Sequence, residues 1–377
     1  DHRDLHSFPT RRSSDLMLGY SSFSPKCIFP PLVGPYLNYR KRASLKRNLY
    51  HQDGTPLPIL SKEQKKEIDL WYEKYGLVLN DYYFHRWYYE VTGVFSPSCI
   101  NERVMNSQIL NKFNDLRLSL AWADKAYYDS RFRSKCIETP YTVLRNINGI
   151  FYDNNYVRLD LEQAALLMNK EEAVITKPTI DSGQGKNIRR YSSKEGLGSI
   201  IRDYSSNYIV QRIVEQHHAL SKLNATSVNT FRVMTWCNDG NVNVIGAILR
   251  VGIPGSVVDN ISAGGYGFCI SSEGCLSGPA RNKVGRIVKT AERVADERNI
   301  YAEHYKKIVA SVKELHDELP YFGIVAWDIT IDKNGSPVLI EYNLQTPGLH
   351  LFQALCGTFD GEVADMLLLE AKKREAI

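Results

Sequence analysis

From residue 323 to residue 343 the chain reads GIVAWDITIDKNGSPVLIEYN, two mostly apolar runs rich in β-branched residues around the polar Asp332-Lys333-Asn334-Gly335. Such runs predict strands, and Asn-Gly between them is the strongest short signal for a hairpin. A two-residue loop at Asn334-Gly335 pairs Lys333 with Ser336 and, counting back, Asp328 with Glu341. Asn343 shares the face of Glu341, because side chains repeat every second residue. Trp327, Ile329, Ile331, Val338, Ile340 and Tyr342 fall on the opposite face, the expected core.

The pattern upstream is helical first and mixed later. Ser61 and Gln64 form a capping box, Ile68, Trp71, Tyr72 and Tyr75 follow at helical spacing, and Gly76 is the stop. The next forty residues, with Trp87, Tyr88 and Tyr89, also look helical. From about residue 116 helices and strands alternate. Helices are predicted over 118–132, 161–170 and 301–319, the last ended by Pro320, and from about 362 onward. Strands are predicted over 141–143, 173–177, 208–214, 228–236 and 242–251. The expected organisation is a mostly helical region over 17–115, one α+β unit over 116–220 and a second over 221–377.

Composition changes this picture little. Hydrophobic residues make up 43% and charged residues 24% of 377, as expected of a globular chain of two or three domains. Residues 1–16, DHRDLHSFPTRRSSDL, resemble a translated sequencing adapter and are set aside, with Met17 one candidate start. The seven cysteines are scattered without a CxxC pair, which points to a reduced, cytoplasmic chain without a zinc site. No apolar run is long enough for a membrane span. Arg40, Lys41, Arg42, Lys46 and Arg47 fall within eight residues, a patch suited to an anionic membrane surface or a polyanion, or simply a solvated face. Nothing suggests nucleic-acid binding, and the oligomeric state is not legible.

Three constellations carry candidate chemistry. The polar face of the hairpin gathers Asp328, Glu341 and Asn343, and like charges opposed across strands call for a cation between them. Hard oxygens of this kind suit Mg²⁺; the alternative is a surface hairpin with two solvated acids. Lys177 ends a strand just before Asp181-Ser182-Gly183-Gln184-Gly185-Lys186, a small loop that could cover phosphates or be an ordinary turn. Arg232 and Arg250 lie on predicted strands among apolar neighbours and should have anionic partners, in a structural ion pair or on a ligand. His217 and His218 would point to opposite faces if they continued the preceding strand, which argues against a metal pair.

These motifs occur in an order that resembles the ATP-grasp superfamily, and within it the sugar-transfer-associated ATP-grasp family. The resemblance covers roughly residues 60–360 and rests on Asp124-Lys125, Lys177 with its Gly-rich loop, Val210-Gln211, Asn229-Thr230-Phe231-Arg232, and Asp328 with Glu341-Tyr342-Asn343. It implies an ATP-grasp fold, two α+β subdomains gripping ATP, behind the helical region. It implies that Lys125 and Lys177 contact ATP, and that Ser182, Gly183 and Gly185 cover the phosphates. Gln211, Arg212, Ile213 and Val214 would border the adenine, with the ribose acid left open between Glu215 and Gln216. Asp328, Glu341 and Asn343 would hold Mg²⁺, and Arg232 and Arg250 would stabilise the migrating phosphoryl group or an acceptor carboxylate.

The implied activity is an ATP-dependent ligase that activates a carboxylate as an acyl phosphate for condensation with an amine, in cell-surface polysaccharide or glycoconjugate synthesis. A small-molecule or sugar kinase on the same fold is the alternative, with Asp259 the nearest unassigned base. A nucleotide-binding module without catalysis is disfavoured because both lysines and all three candidate metal ligands are present.

Overall fold

The computed structural model describes residues 54–79, 81–135, 137–180, 185, 187–289, 301–357 and 361–374. The basic cluster at 40–47 and the whole 181–186 loop except Gly185, including Ser182 and Gly183, lie outside them. Among the described residues no helix is long and apolar enough to cross a membrane.

The described residues open with α1 (Lys62–Glu73), whose Ser61–Gln64 capping box forms as expected, and α2 (Tyr83–Thr92), closed by Gly93 at φ 73°. Then α3 (Glu102–Val104) continues through a π-helical turn over Met105–Ile109 into α4 (Leu110–Phe113). The helix expected over 118–132 is broken. It splits into α5 (Ser119–Trp122), a 3₁₀ turn over Lys125–Tyr127 and α6 (Tyr128–Arg131). The break is at Asp124, which is extended and uses its carboxylate to cap the Ala126 N–H, a local bond that competes with helix continuation.

Two six-stranded antiparallel sheets follow. The first contains β1 (Thr142–Ile147), β2 (Ile150–Tyr152), β3 (Arg158–Leu159), β4 (Ala173–Pro178), β5 (Arg189–Ser192) and β6 (Tyr208–Arg212), in the order β3-β2-β1-β6-β4-β5. One face is covered by α7 (Leu161–Met168) and α8 (Gly196–Tyr204), and Val174, Ile200, Tyr208 and Val210 make its core.

The second sheet contains β7 (Thr230–Asn238), β8 (Asn241–Val251), β9 (Tyr266–Ile270), β10 (Leu276–Asn282), β11 (Ile324–Ile331) and β12 (Pro337–Asn343), in the order β10-β9-β8-β7-β11-β12. Both its faces are buried. Phe231, Val233, Ala247 and Leu249 face α10 (Ala302–His316), while Met234, Trp236 and Ile248 face the N-terminal helices, α11 (Leu349–Cys356) and α12 (Gly361–Lys373). The helical region is therefore half of this sheet's packing. Asn114 pins it there: its side chain donates to the Ile324 and Leu344 carbonyls and accepts from the Ile324 N–H.

The hairpin differs from its sequence reading in two ways that cancel. Its loop has three residues, not two, because Asp332 N–H donates to the Ser336 carbonyl at 2.9 Å and only Gly335 has positive φ, 82°. A bulge at Ile340 then restores the register, since Ile329 pairs with Leu339 but Asp328 pairs with Glu341. Asp328 and Glu341 thus face each other as expected. Leu339 joins the core cluster, while Ile340, expected in the core, lines a cavity.

The histidine pair is also corrected. His217 caps α9 (His218–Leu223), and its ring lies 4.2 Å from that of His218, so the two do not point apart. A disulfide joins Cys269 of β9 to Cys356 of α11, where the sequence suggested reduced thiols. The two cysteines are separated by 87 residues and met only through the fold.

Candidate active site

The first sheet turns its uncovered face, with Ile175, Lys177 and Gln211, toward a cavity of about 530 Å³. The second sheet supplies Arg250, Ile340 and Glu341 to the same cavity, and Ile213 to Gln216 cross between the sheets along its wall. The crossing segment is fastened to the hairpin: Lys333 N–H donates to the Glu215 carbonyl, and His217 N–H to the Ile331 carbonyl, both at 2.8 Å.

Two lysines meet at the floor. Alternation in β4 sends Val174 to the core and Lys177 to the cavity, where its Nζ reaches the Ile340 carbonyl at 3.4 Å. Burial, reinforced by the nearby Lys125, lowers the Lys177 pKa to about 8. Lys125 follows the Asp124 break, its N–H donates to the Thr179 carbonyl at 2.9 Å, and its Nζ lies 3.5 Å from Glu341 Oε2.

Across from them is an ion-pair network. Asp328, fully buried, accepts from Arg232 Nε at 2.8 Å and Nη2 at 2.9 Å. Arg250 Nη2 lies 3.3 Å from Asp328 Oδ2, and Asn343 Nδ2 is 3.5 Å from the same oxygen. Burial alone would raise the Asp328 pKa, but the two guanidiniums outweigh it and hold the carboxyl below its ordinary value. Arg250 also pairs with Asp259 at 3.1 Å, and Thr230 donates to that same acid. The anionic partners expected for both arginines are therefore Asp328 and Asp259.

Of the residues singled out in the sequence, Lys177, Gly185, Gln211, Arg212, Ile213, Val214, Glu215, Arg250 and Glu341 line this cavity. Lys125, Arg232, Asp328 and Asn343 join through the contacts above. Arg212 turns outward to Glu171, with its Nε 2.9 Å from one carboxylate oxygen, and stacks on Tyr141. Glu215 pairs with Lys333 at 3.0 Å, and Gln216 is bonded to the Asn224 and Ser227 carbonyls. Gln211 donates to the Pro140 carbonyl at 3.1 Å.

A second cavity, of about 500 Å³, opens on the other side of Arg250 and Glu341. Arg232 and Asn343 line it, and so do two residues the sequence did not flag, Glu102 and His350. His350 Nδ1 and Glu102 Oε1 are 3.0 Å apart, although 248 positions separate them.

A profile described as sugar-transfer associated ATP-grasp matches residues 104–358, the span that contains both sheets. The chain belongs to this ATP-grasp family. Its fold is α+β with a helical region before the sheets, as the resemblance implied. In structure this ATP-grasp protein is similar to the ATP-grasp ligase PsnB complexed with minimal precursor, at 14% identity over 68% of this chain and 64% of that one, TM-score 0.38. It is similar to D-alanyl-alanine synthetase A from Vibrio cholerae, at 7% identity over 68% and 66%, TM-score 0.41. A third such structure is purK, N5-carboxyaminoimidazole ribonucleotide synthetase, at 13% identity over 63% and 46%, TM-score 0.34. The chain spans less than two thirds of the lengths of PsnB and purK. No curated protein matches it in sequence.

Proposed function

We propose that this protein is an ATP- and magnesium-dependent ligase that activates a carboxylate as an acyl phosphate and condenses it with an amine. The observation that carries this reading is the meeting of two cavities at Arg250 and Glu341, one flanked by the lysines and the other by Arg232. A phosphoryl group leaving a nucleotide in the first would emerge between two guanidiniums into the second. Phosphoryl transfer asks for positioning and positive charge rather than covalent help. Lys125 and Lys177 would neutralise the nucleotide phosphates, and Ile213 to Gln216 would border the base and ribose. Arg232 and Arg250 would hold the acceptor carboxylate and the migrating group.

The donor set fits magnesium. Asp328 and Glu341 are opposed on paired strands with Asn343 beside them, and these are hard oxygen ligands. Among the described residues no three His, Cys, Asp or Glu side chains converge as a ready-made metal site, so nucleotide phosphates and water would complete the coordination. When bound, the ion would neutralise charge on the phosphates. Glu341, partly open to the cavity, and Asn343 are the first candidates to hold it; Asp328 would follow if Arg232 releases it.

The kinase alternative needs a base beside an acceptor hydroxyl. Asp259, the candidate for that role, is engaged by Arg250 and Thr230, which favours the ligase. A role in polysaccharide or glycoconjugate synthesis, with a sugar-linked acceptor among the options, rests on the family description. The test is turnover of ATP with a pool of amino acids, uronic acids and amino sugars in the presence of hydroxylamine. A hydroxamate is expected; ATP consumption with a stable phosphomonoester and no hydroxamate would replace the ligase by a kinase.

A further inference from the structure

The second cavity is also lined by a pair that neither sheet supplies. Glu102 begins α3 in the N-terminal helical region, and His350 lies in the first turn of α11. The pair is rigidly built. Gln353, three residues after His350 on the same helix, donates to the Ile100 carbonyl at 2.9 Å and accepts from the Ile100 N–H at 2.8 Å. The Asn101 N–H donates to the Tyr72 hydroxyl, which donates to the Cys99 carbonyl, both at 2.8 Å. The disulfide at Cys356 fixes the other end of α11. The indole of Trp87 packs edge-on against the His350 ring, with centroids 6.1 Å apart.

A carboxylate can only accept, so the contact to Glu102 puts the ring proton of His350 on Nδ1. In the neutral ring this leaves the lone pair on Nε2, which has no protein hydrogen-bond partner among the described residues. The other titratable groups in this wall are committed. Arg232 and Arg250 are permanently charged, and Glu341 is near Lys125 and opposite Asp328. Glu102 is occupied by His350 itself.

We propose that the second cavity takes the amine substrate and that His350 is its proton acceptor, with Glu102 as the positioning residue that sets the tautomer. This rests on the ligase reading above. As the amine nitrogen attacks the acyl carbon, a C–N bond forms and the C–O bond to the phosphoryl group breaks. The electron pair leaves with inorganic phosphate, and the proton shed by nitrogen goes to His350 Nε2. The acyl phosphate forms without this proton transfer, so only the second half of the reaction should depend on it.

The experiment uses the full chain with ATP, magnesium and a pool of the twenty amino acids, glucuronic acid, galacturonic acid and glucosamine. Hydroxamate trapping reports activation, and mass spectrometry reports the amide. His350→Gln should lower amide formation by about 100-fold or more, the usual contribution of a general base. Hydroxamate should continue to form, because hydroxylamine attacks at neutral pH without a base. Glu102→Gln should show the same split to a smaller degree, and free imidazole should restore amide formation to His350→Ala. Nucleotide affinity, unchanged in all three variants, establishes that they fold. Loss of both products together, or amide formation at the wild-type rate in His350→Gln, overturns the proposal. A wild-type protein that yields a phosphomonoester and no hydroxamate fails the ligase reading instead, and the proposal falls with it.

Discussion

Lys177 Nζ donates to the carbonyl of Ile340 at 3.4 Å, so the amine of one sheet rests on the main chain of the other. This long contact is a weak one, and phosphate oxygens would displace it readily. Replacing Lys177 with Met should weaken nucleotide binding by about 1.5–3 kcal/mol, the worth of a hydrogen bond to a charged group. Its pKa of about 8 also sets a pH dependence. The folded protein loses this charge as pH rises through about 8, so affinity should fall across that range. Near pH 8 binding should take up protons, because phosphate favours the ammonium. Calorimetry in buffers of different ionisation heat measures both effects, and both should vanish in Lys177→Met.

Asp328 and Glu341 should respond differently to substitution despite facing each other. Asp328→Ala leaves two guanidiniums around an empty position in the interior. The expected loss of stability is about 3–5 kcal/mol, visible in thermal unfolding. Glu341 is part-exposed and its ion-pair partner, Lys125, is 3.5 Å away, so Glu341→Gln should fold normally yet fail to turn over ATP with magnesium. Equal destabilisation by both changes would contradict this division.

Gly252 and Gly198 make a pair with opposite signs. A Cβ on Gly252 would lie 2.6 Å from the Val258 carbonyl oxygen, in the loop that carries Asp259. Gly252→Ala should therefore cost about 1–3 kcal/mol, as overpacking does, and should disturb Arg250 through its partner. Gly198, within α8, meets nothing closer than 3.8 Å and has no positive φ. Gly198→Ala should raise stability by about 0.5–1 kcal/mol. Chemical denaturation of the two variants is the measurement.

Reduction of Cys269–Cys356 should lower the melting temperature, since this bond closes a long stretch of chain between β9 and α11. The stabilisation expected from such a closure is about 2–5 kcal/mol. Cys356→Ser should melt like the reduced wild type and be indifferent to reductant. A wild type equally indifferent would mean the two sulfurs are unbonded in solution.

What could be read in the chain was whatever depends on neighbours in sequence. The Ser61 cap, the strand ending at Lys177 and the β7–β8 and β11–β12 hairpins announced themselves by local spacing. Strand β5 (Arg189–Ser192) exposes both arginines and buries only Tyr191, so it carries no alternation to find. Strands β9 and β10 follow loops rich in Gly and Ser that mask their pattern. Asp328 and Glu341 were paired correctly through a loop one residue too short and a bulge unforeseen, since no local rule reveals where a strand will slip. The Glu102–His350 contact had no sequence signal, because an acid and a histidine so far apart become partners only when the helical region packs on the second sheet.

The bulge at Ile340 has one more effect. An unbroken strand shows neighbouring side chains to opposite sides, so a greasy surface and a charge on the same wall must sit two residues apart. Here Ile340 and Glu341, adjacent in the chain, both line the cavity beside Lys177. The wall's apolar patch and its acid are thus fused into a single dipeptide. Any insertion or deletion between Ser336 and Ile340 would drag both along together, so the length of this short run should tolerate less change than its composition.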